Sequence, residues 1–105
     1  MFEVIKSLFG PGKRENFAEL MGKGAQIIDV RTPGEYQGGH IHGSINIPLD
    51  TLQRSLSKIK KDRPVITCCA SGMRSLSAKS ILASNGFTEV YNGGGWVSLK
   101  QKLNK

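Results

Sequence analysis

Cys69-Ala70-Ser71-Gly72-Met73-Arg74-Ser75 is a run whose residue types suit the holding of a sulfur atom as an anion. A cysteine attacks as the thiolate, not as the thiol. The small residues and the glycine behind Cys69 let the backbone curl around its sulfur, and such a curl turns successive N–H groups inward as an anion nest. A helix starting at about Arg74 or Ser75 adds the positive end of its dipole. Arg74 adds a permanent charge with paired donors. Surroundings of this kind lower a cysteine pKa from about 8.5 into the range ~3.5–7.5. The reading is a reactive Cys69, largely ionised at neutral pH, in a loop that also stabilises any oxyanion presented to it. A free cysteine at a strand end is more often a small buried hydrophobe. The loop composition and the arginine at a helix start argue for function here.

Cys68 has the opposite balance. Adjacent strand residues point to opposite faces, so Cys68 is expected to face the core while Cys69 enters the loop. A disulfide between the two needs a strained geometry, which leaves packing as the role of Cys68 and a resolving thiol as the alternative. Within the loop, Gly72 supplies a backbone angle or a close approach. Ser71 either donates its hydroxyl or is present because it is small, and Met73 either lines the mouth or is simply exposed. Arg74 binds the substrate anion or neutralises a carboxylate. Asp29 and Arg31 read as a scaffold, with Arg31 paired to Glu35. His40 and His42 lie in no nucleophile signature and read as structural, with the His40 imidazole bonded to backbone in its turn. Tyr91 and Trp96 read as core or rim aromatics.

Elements must carry this loop to an accessible edge. Asn16 caps a helix bearing Phe17, Leu20 and Met21 that ends at Gly22 or Gly24. Residues 25–30 are an apolar run of buried-strand type. Thr32-Pro33-Gly34-Glu35 predicts a helix start with a capping box, Pro33 in its first turn, and Gly38-Gly39 as its stop. Residues 45–47 form a brief strand closed by Pro48, and Asp50 caps a helix with Leu52, Leu56 and Ile59 on one face. Residues 64–68 are the third strand. A helix with Leu76, Ala78, Ile81 and Leu82 ends at Gly86. Thr88 to Tyr91 is a fourth strand, Asn92 to Gly95 a turn, and Trp96 to Leu103 a closing helix. Strands alternating with helices imply crossover connections. The fold class is therefore α/β, three layers with a mostly parallel central sheet flanked by helices, and ligands bind beyond the carboxyl ends of its strands.

The 105 residues suffice for one core. No apolar run approaches the ~20 residues of a membrane span. The 2 cysteines, being sequence neighbours, exclude a disulfide scaffold. Residues 1–13 read as an N-terminal arm, broken at Gly10-Pro11-Gly12, and residues 14–105 as the domain. Glu3 and Lys6 interrupt the arm's apolar positions, so it does not read as a signal peptide, and a cytoplasmic location is expected. The formal charge of +7 fits a solvated surface or attraction of anionic substrates and acidic partners. Lys58, Lys60, Lys61 and Arg63 lack the aromatic interleaving of a nucleic-acid ribbon, so no nucleic-acid partner is expected.

The chain resembles the single-domain rhodaneses, a sulfurtransferase family, over nearly its whole length. The resemblance runs through Asp29-Val30-Arg31, Glu35-Tyr36, Gly39-His40-Ile41 with Gly43, Asn46-Ile47-Pro48, the Cys69–Ser75 loop, and Gly86-Phe87 with Val90. Trp96 departs from the pattern by following the glycines directly. The resemblance implies a rhodanese-like domain and a two-step transfer of sulfane sulfur, from thiosulfate or a persulfide to a thiol or cyanide, through a persulfide on Cys69. It further implies that Ala70, Ser71, Gly72, Met73, Arg74 and Ser75 bind the substrate, that the donor is a small anion and that the acceptor is a small or protein thiol. No metal or organic cofactor is expected, and the working unit is expected to be a monomer. One rival is a non-turnover sulfur carrier or binding module. Another is a phosphatase or arsenate reductase on a related scaffold, but those space Cys and Arg one residue further apart and need an acid for the leaving group. The stretch from Ala70 to Met73 holds no such acid.

Overall fold

The computed structural model describes residues 16–104, so the arm expected over residues 1–13 lies outside the described residues. Helix α1 (Phe17–Gly22) begins where Asn16 accepts the Glu19 N–H at 3.0 Å and turns Phe17 and Leu20 inward. Strand β1 (Gln26–Asp29) follows. Helix α2 (Pro33–Gln37) has the predicted capping box. The Glu35 N–H donates to Thr32 Oγ1 at 3.2 Å, and the Thr32 N–H donates to Glu35 Oε1 at 2.9 Å. A cap of this type contributes about 1 kcal/mol. Strand β2 (Ile45–Asn46), helix α3 (Leu49–Leu52) and a short 3-10 turn (Leu56–Lys58) come next. Strand β3 (Val65–Cys69), helix α4 (Met73–Ser84), strand β4 (Val90–Gly95) and helix α5 (Trp96–Leu103) complete the chain.

The strands lie in the order β2-β1-β3-β4, and every pair is parallel. Because side chains alternate along a strand, β3 sends Val65 and Cys69 to one face and Ile66 and Cys68 to the other. The first face packs with Ile28, Val30, Ile47, Leu52, Ala78 and Leu82, which brings α3 and α4 against it. The second packs with Phe17, Leu20, Ile27, Ile41 and Leu99, which brings α1 and α5. Each such aliphatic or aromatic burial is worth roughly 1.5–3 kcal/mol. No helix among the described residues is long and apolar enough to cross a membrane.

Two expectations need correction. Asp50 does not cap a single helix through Ile59. The helix begins at Leu49 behind Pro48, placing Asp50 in the first turn, and it stops after Leu52. Ser55, at φ −121°, leaves the helical region before the 3-10 turn, yet Leu52 and Ile59 still reach the same core. Nor do residues 92–95 form a turn, because β4 runs through them. A Cβ on Gly93 would lie 2.8 Å from the Thr67 carbonyl oxygen and 2.9 Å from both Ile66 Cγ2 and Leu99 Cδ2. That glycine admits a close approach of β3 and α5 rather than a reversal. The ladder slips between Thr67 and Cys69, so that Cys69 pairs with Gly95.

Candidate active site

Strand β3 extends one residue past the predicted end, so Cys69 is its last member and not the first of the loop. Its side chain is 0% exposed. The four residues after it turn the chain back over the sulfur. Gly72, at φ 106°, takes the left-handed conformation that a Cβ disfavours, and α4 starts at the next residue. The Gly72 N–H donates to Cys69 Sγ at 3.0 Å, and the Ser75 N–H donates to it at 3.3 Å. Gly72 has no side chain with which to cap α4, and the sulfur takes the position that an N-cap oxygen ordinarily fills.

Opposed effects set the Cys69 thiol. Burial pushes its pKa up, but the Ser75 hydroxyl and the N–H groups of Ser75, Gly72 and Ser71 outweigh burial and bring it below the ordinary value. Cys68 lacks that set of donors. Burial and the nearby Asp29 carboxylate push it up to about 12, with Arg31 opposing. Both thiols are free.

Arg74 is not aimed at the sulfur. Its Nη1 and Nη2 donate to Glu35 Oε1 and Oε2 at 2.7 and 3.0 Å. The Arg74 guanidinium, helped by the Thr32 N–H, holds Glu35 down at about 2. The expected pairing of Arg31 with the Glu35 carboxylate is therefore wrong. Arg31 instead forks onto Asp29, with Nε to Oδ1 at 2.9 Å and Nη2 to Oδ2 at 2.7 Å. It also donates to the carbonyls of Glu35 and Gly39 and lies 4.7 Å over the Trp96 ring. The scaffold role expected of Asp29 and Arg31 is thus what they perform. His40 matches its structural reading, with Nδ1 2.7 Å from the Tyr36 carbonyl oxygen and its ring stacked on Tyr36, while His42 is exposed.

Ala70 and Ser71 are exposed, Met73 is 75% exposed, and Ser75 is buried. Beside them a cleft of about 310 Å³ is lined by Val30, Thr32, Pro48, Leu49, Asp50 and Arg74. It opens at the carboxyl ends of β1 and β2. Among the described residues no group of three or more His, Cys, Asp or Glu side chains gathers as a metal site.

The family model for the rhodanese-like domain matches residues 13–102. The chain belongs to the rhodanese-like domain family. It is 48% identical over 68 residues to the uncharacterized protein YqhL of Bacillus subtilis (strain 168), covering 65% of this chain and 54% of that one. The match thus spans about half of the Bacillus protein's length. It is 37% identical over 81 residues to the thiosulfate sulfurtransferase GlpE of Ectopseudomonas mendocina (strain ymp), covering 77% and 74% of the two chains. A rhodanese with anions from E. coli superposes with a TM-score of 0.66 at 39% identity, over 70% of this chain and 89% of that one. In this rhodanese-like domain, reasoning from sequence missed three residues at the site, namely Glu35 as the partner of Arg74, and Thr67 and Asn92 against Ser75. Glu35 had a visible signal in its capping box. Thr67 and Asn92 had none, because only the strand register brings them to α4.

Proposed function

We propose that this chain is a sulfurtransferase that moves sulfane sulfur from thiosulfate or a persulfide to a thiol or cyanide acceptor, with Cys69 as nucleophile. The Cys69 thiolate attacks the outer sulfur of thiosulfate. A new S–S bond forms to Cys69, the old one breaks, and sulfite leaves with its electron pair. Cys69 then carries a persulfide. An acceptor thiolate or cyanide attacks the terminal sulfur, the S–S bond to Cys69 breaks, and the thiolate is restored. Covalent catalysis of this kind divides one displacement into two, and fixed donors stabilise the charge in both.

The observation that carries this reading is the pair of N–H donors on Cys69 Sγ at 3.0 and 3.3 Å. The N–H groups of Ser71, Gly72 and Ser75 hold the sulfur. Ala70 and Met73 border its mouth, and Arg74 meets the anionic donor at the rim. The short spacing from Cys69 to Arg74 and the lack of an acid from Ala70 to Met73 speak against a phosphatase. A single copy in the cytoplasm, where both thiols stay reduced, is the working unit of this proposal, and size-exclusion chromatography coupled to light scattering tests the copy number.

The deciding experiment is mass spectrometry after incubation with thiosulfate, paired with a thiosulfate-to-cyanide assay. The expected result is one added sulfur on Cys69 and continuous turnover. The same mass gain in Cys69→Ser protein would defeat the assignment. Loading without turnover would instead identify a carrier.

A further inference from the structure

Strand β4 reaches the Cys69 sulfur through hydrogen bonds that begin at Asn92. The sheet register sets Thr67 of β3 beside Asn92 of β4, and both side chains meet Ser75 in the first turn of α4. Thr67 Oγ1 donates to the Ser75 carbonyl oxygen at 2.8 Å. Asn92 Oδ1 accepts the Ser75 hydroxyl at 2.6 Å and the Gly94 N–H at 2.9 Å. A backbone N–H can only donate, so the Gly94 contact decides which end of the Asn92 amide faces Ser75. Ser75 is 0% exposed, so water does not replace this acceptor. The hydroxyl has a single proton. Around it stand Asn92 Oδ1, the Gly72 carbonyl oxygen at 3.0 Å, and the Cys69 sulfur, whose charged form that hydroxyl favours.

We infer that Asn92 is a positioning residue for sulfur transfer: it pins Ser75 to β4 so that the Ser75 N–H and hydroxyl both stay within reach of the Cys69 sulfur. This inference rests on the Cys69 chemistry proposed above, but it concerns a residue outside the loop that acts only through Ser75. A role confined to shaping β4 would change stability and leave the thiol as it was. The charged and titratable groups around Cys69 are Arg74 of α4, Glu35 of α2 bound to it, Asp50 of α3 on the cleft, Asp29 of the neighbouring strand β1, and Cys68 beside it in β3. None of these changes in the variants below, so a moved titration reports on hydrogen bonding.

The test is the ultraviolet titration of the Cys69 thiolate, with kcat/KM for thiosulfate measured across pH, in wild type, Asn92→Ala, Asn92→Ser, Ser75→Ala and the Asn92→Ala/Ser75→Ala double variant. Asn92→Ser keeps an oxygen for the Gly94 N–H but falls short of Ser75, which provides a folded variant should the alanine be too disruptive. Either Asn92 variant is expected to raise the thiol midpoint by about one pH unit and to lower kcat/KM near neutral pH roughly tenfold, with recovery at alkaline pH. In the Ser75→Ala background the same substitution is expected to add nothing further. A wild-type midpoint and rate in the Asn92 variants, or an equal additional loss on top of Ser75→Ala, overturns the inference. Lack of any thiosulfate turnover by the wild type would instead strike the sulfurtransferase reading, and the titrations would still decide the part played by Asn92.

Discussion

On the α1/α5 side of β3, Cys68 packs with Ile66, Ile27 and Leu99 and lies near the buried Asp29–Arg31 pair. On the α3/α4 side, Cys69 packs with Val30, Val65 and Ala78 and receives two N–H groups. Both side chains are fully buried. Burial works against the charged form of each, yet one thiol is pushed up to about 12 and the other is brought down. The difference lies in what each sulfur meets. One sulfur meets aliphatic carbon and a carboxylate, whereas the other meets the unsatisfied amides at the start of a helix. A buried cysteine is therefore reactive or inert according to the donors within reach of its sulfur, and depth alone does not decide.

The comparison breaks most sharply by substitution of each sulfur in turn. Cys69→Ala is expected to reduce thiosulfate-to-cyanide turnover by more than about 10³-fold, whereas Cys68→Ala stays within about twofold of wild type. Equal losses in the two variants would mean that the faces do not divide the work. Next in size, Asp29→Asn leaves Arg31 without its buried counter-charge and should cost about 3 kcal/mol in urea unfolding. The Cys68 titration should fall, because that carboxylate raises it, and should move further than that of Cys69; equal displacements would show the two faces to be coupled. A third test uses alkali. The Cys68 pKa in the folded chain is raised from about 9 to about 12. The unfolded chain therefore loses that proton first, and stability contributed by the neutral thiol is full below about pH 9 and falls as the pH climbs toward 12. Cys68→Ala should flatten that part of the stability profile, and an unaltered slope would contradict the assignment. The smallest effect is expected from Glu35→Gln. Freed of its carboxylate partner, Arg74 should lower KM for thiosulfate about twofold without changing kcat, as steady-state kinetics at low salt would reveal. In the wild type the pair should weaken as pH falls from about 4.5 toward 2, through the depressed Glu35 pKa.

Much of this arrangement is legible in the amino-acid sequence. The capping box at Thr32 and Glu35, the Asn16 cap, the Trp96–Leu103 helix and the burial of Cys68 are local matters, decided by residues a few positions apart, and they stand as read. What escaped notice depends on distant parts of the chain. Asn92-Gly93-Gly94-Gly95 has the composition of a turn, but Gly93 is small because β3 and α5 crowd it. Arg74 and Glu35 are 39 residues apart and meet only because α2 and α4 sit at the same edge of the sheet. The Arg74 donors go to the Glu35 carboxylate, as one of its two expected roles had it, and Arg74 acts on the Cys69 sulfur through its charge alone. The amides around Cys69, by contrast, follow from the placement of Gly72 and were foreseen.

In the mechanism proposed above, Cys69 Sγ is the reacting atom, and it is also the N-terminal stopper of α4. Each catalytic cycle therefore trades one stopper for another, a thiolate for the inner atom of a disulfur chain that carries less charge. Fraying of the first helical turn should then keep time with sulfur occupancy, and amide deuterium uptake at Gly72 and Ser75 would act as a gauge of how full the protein is.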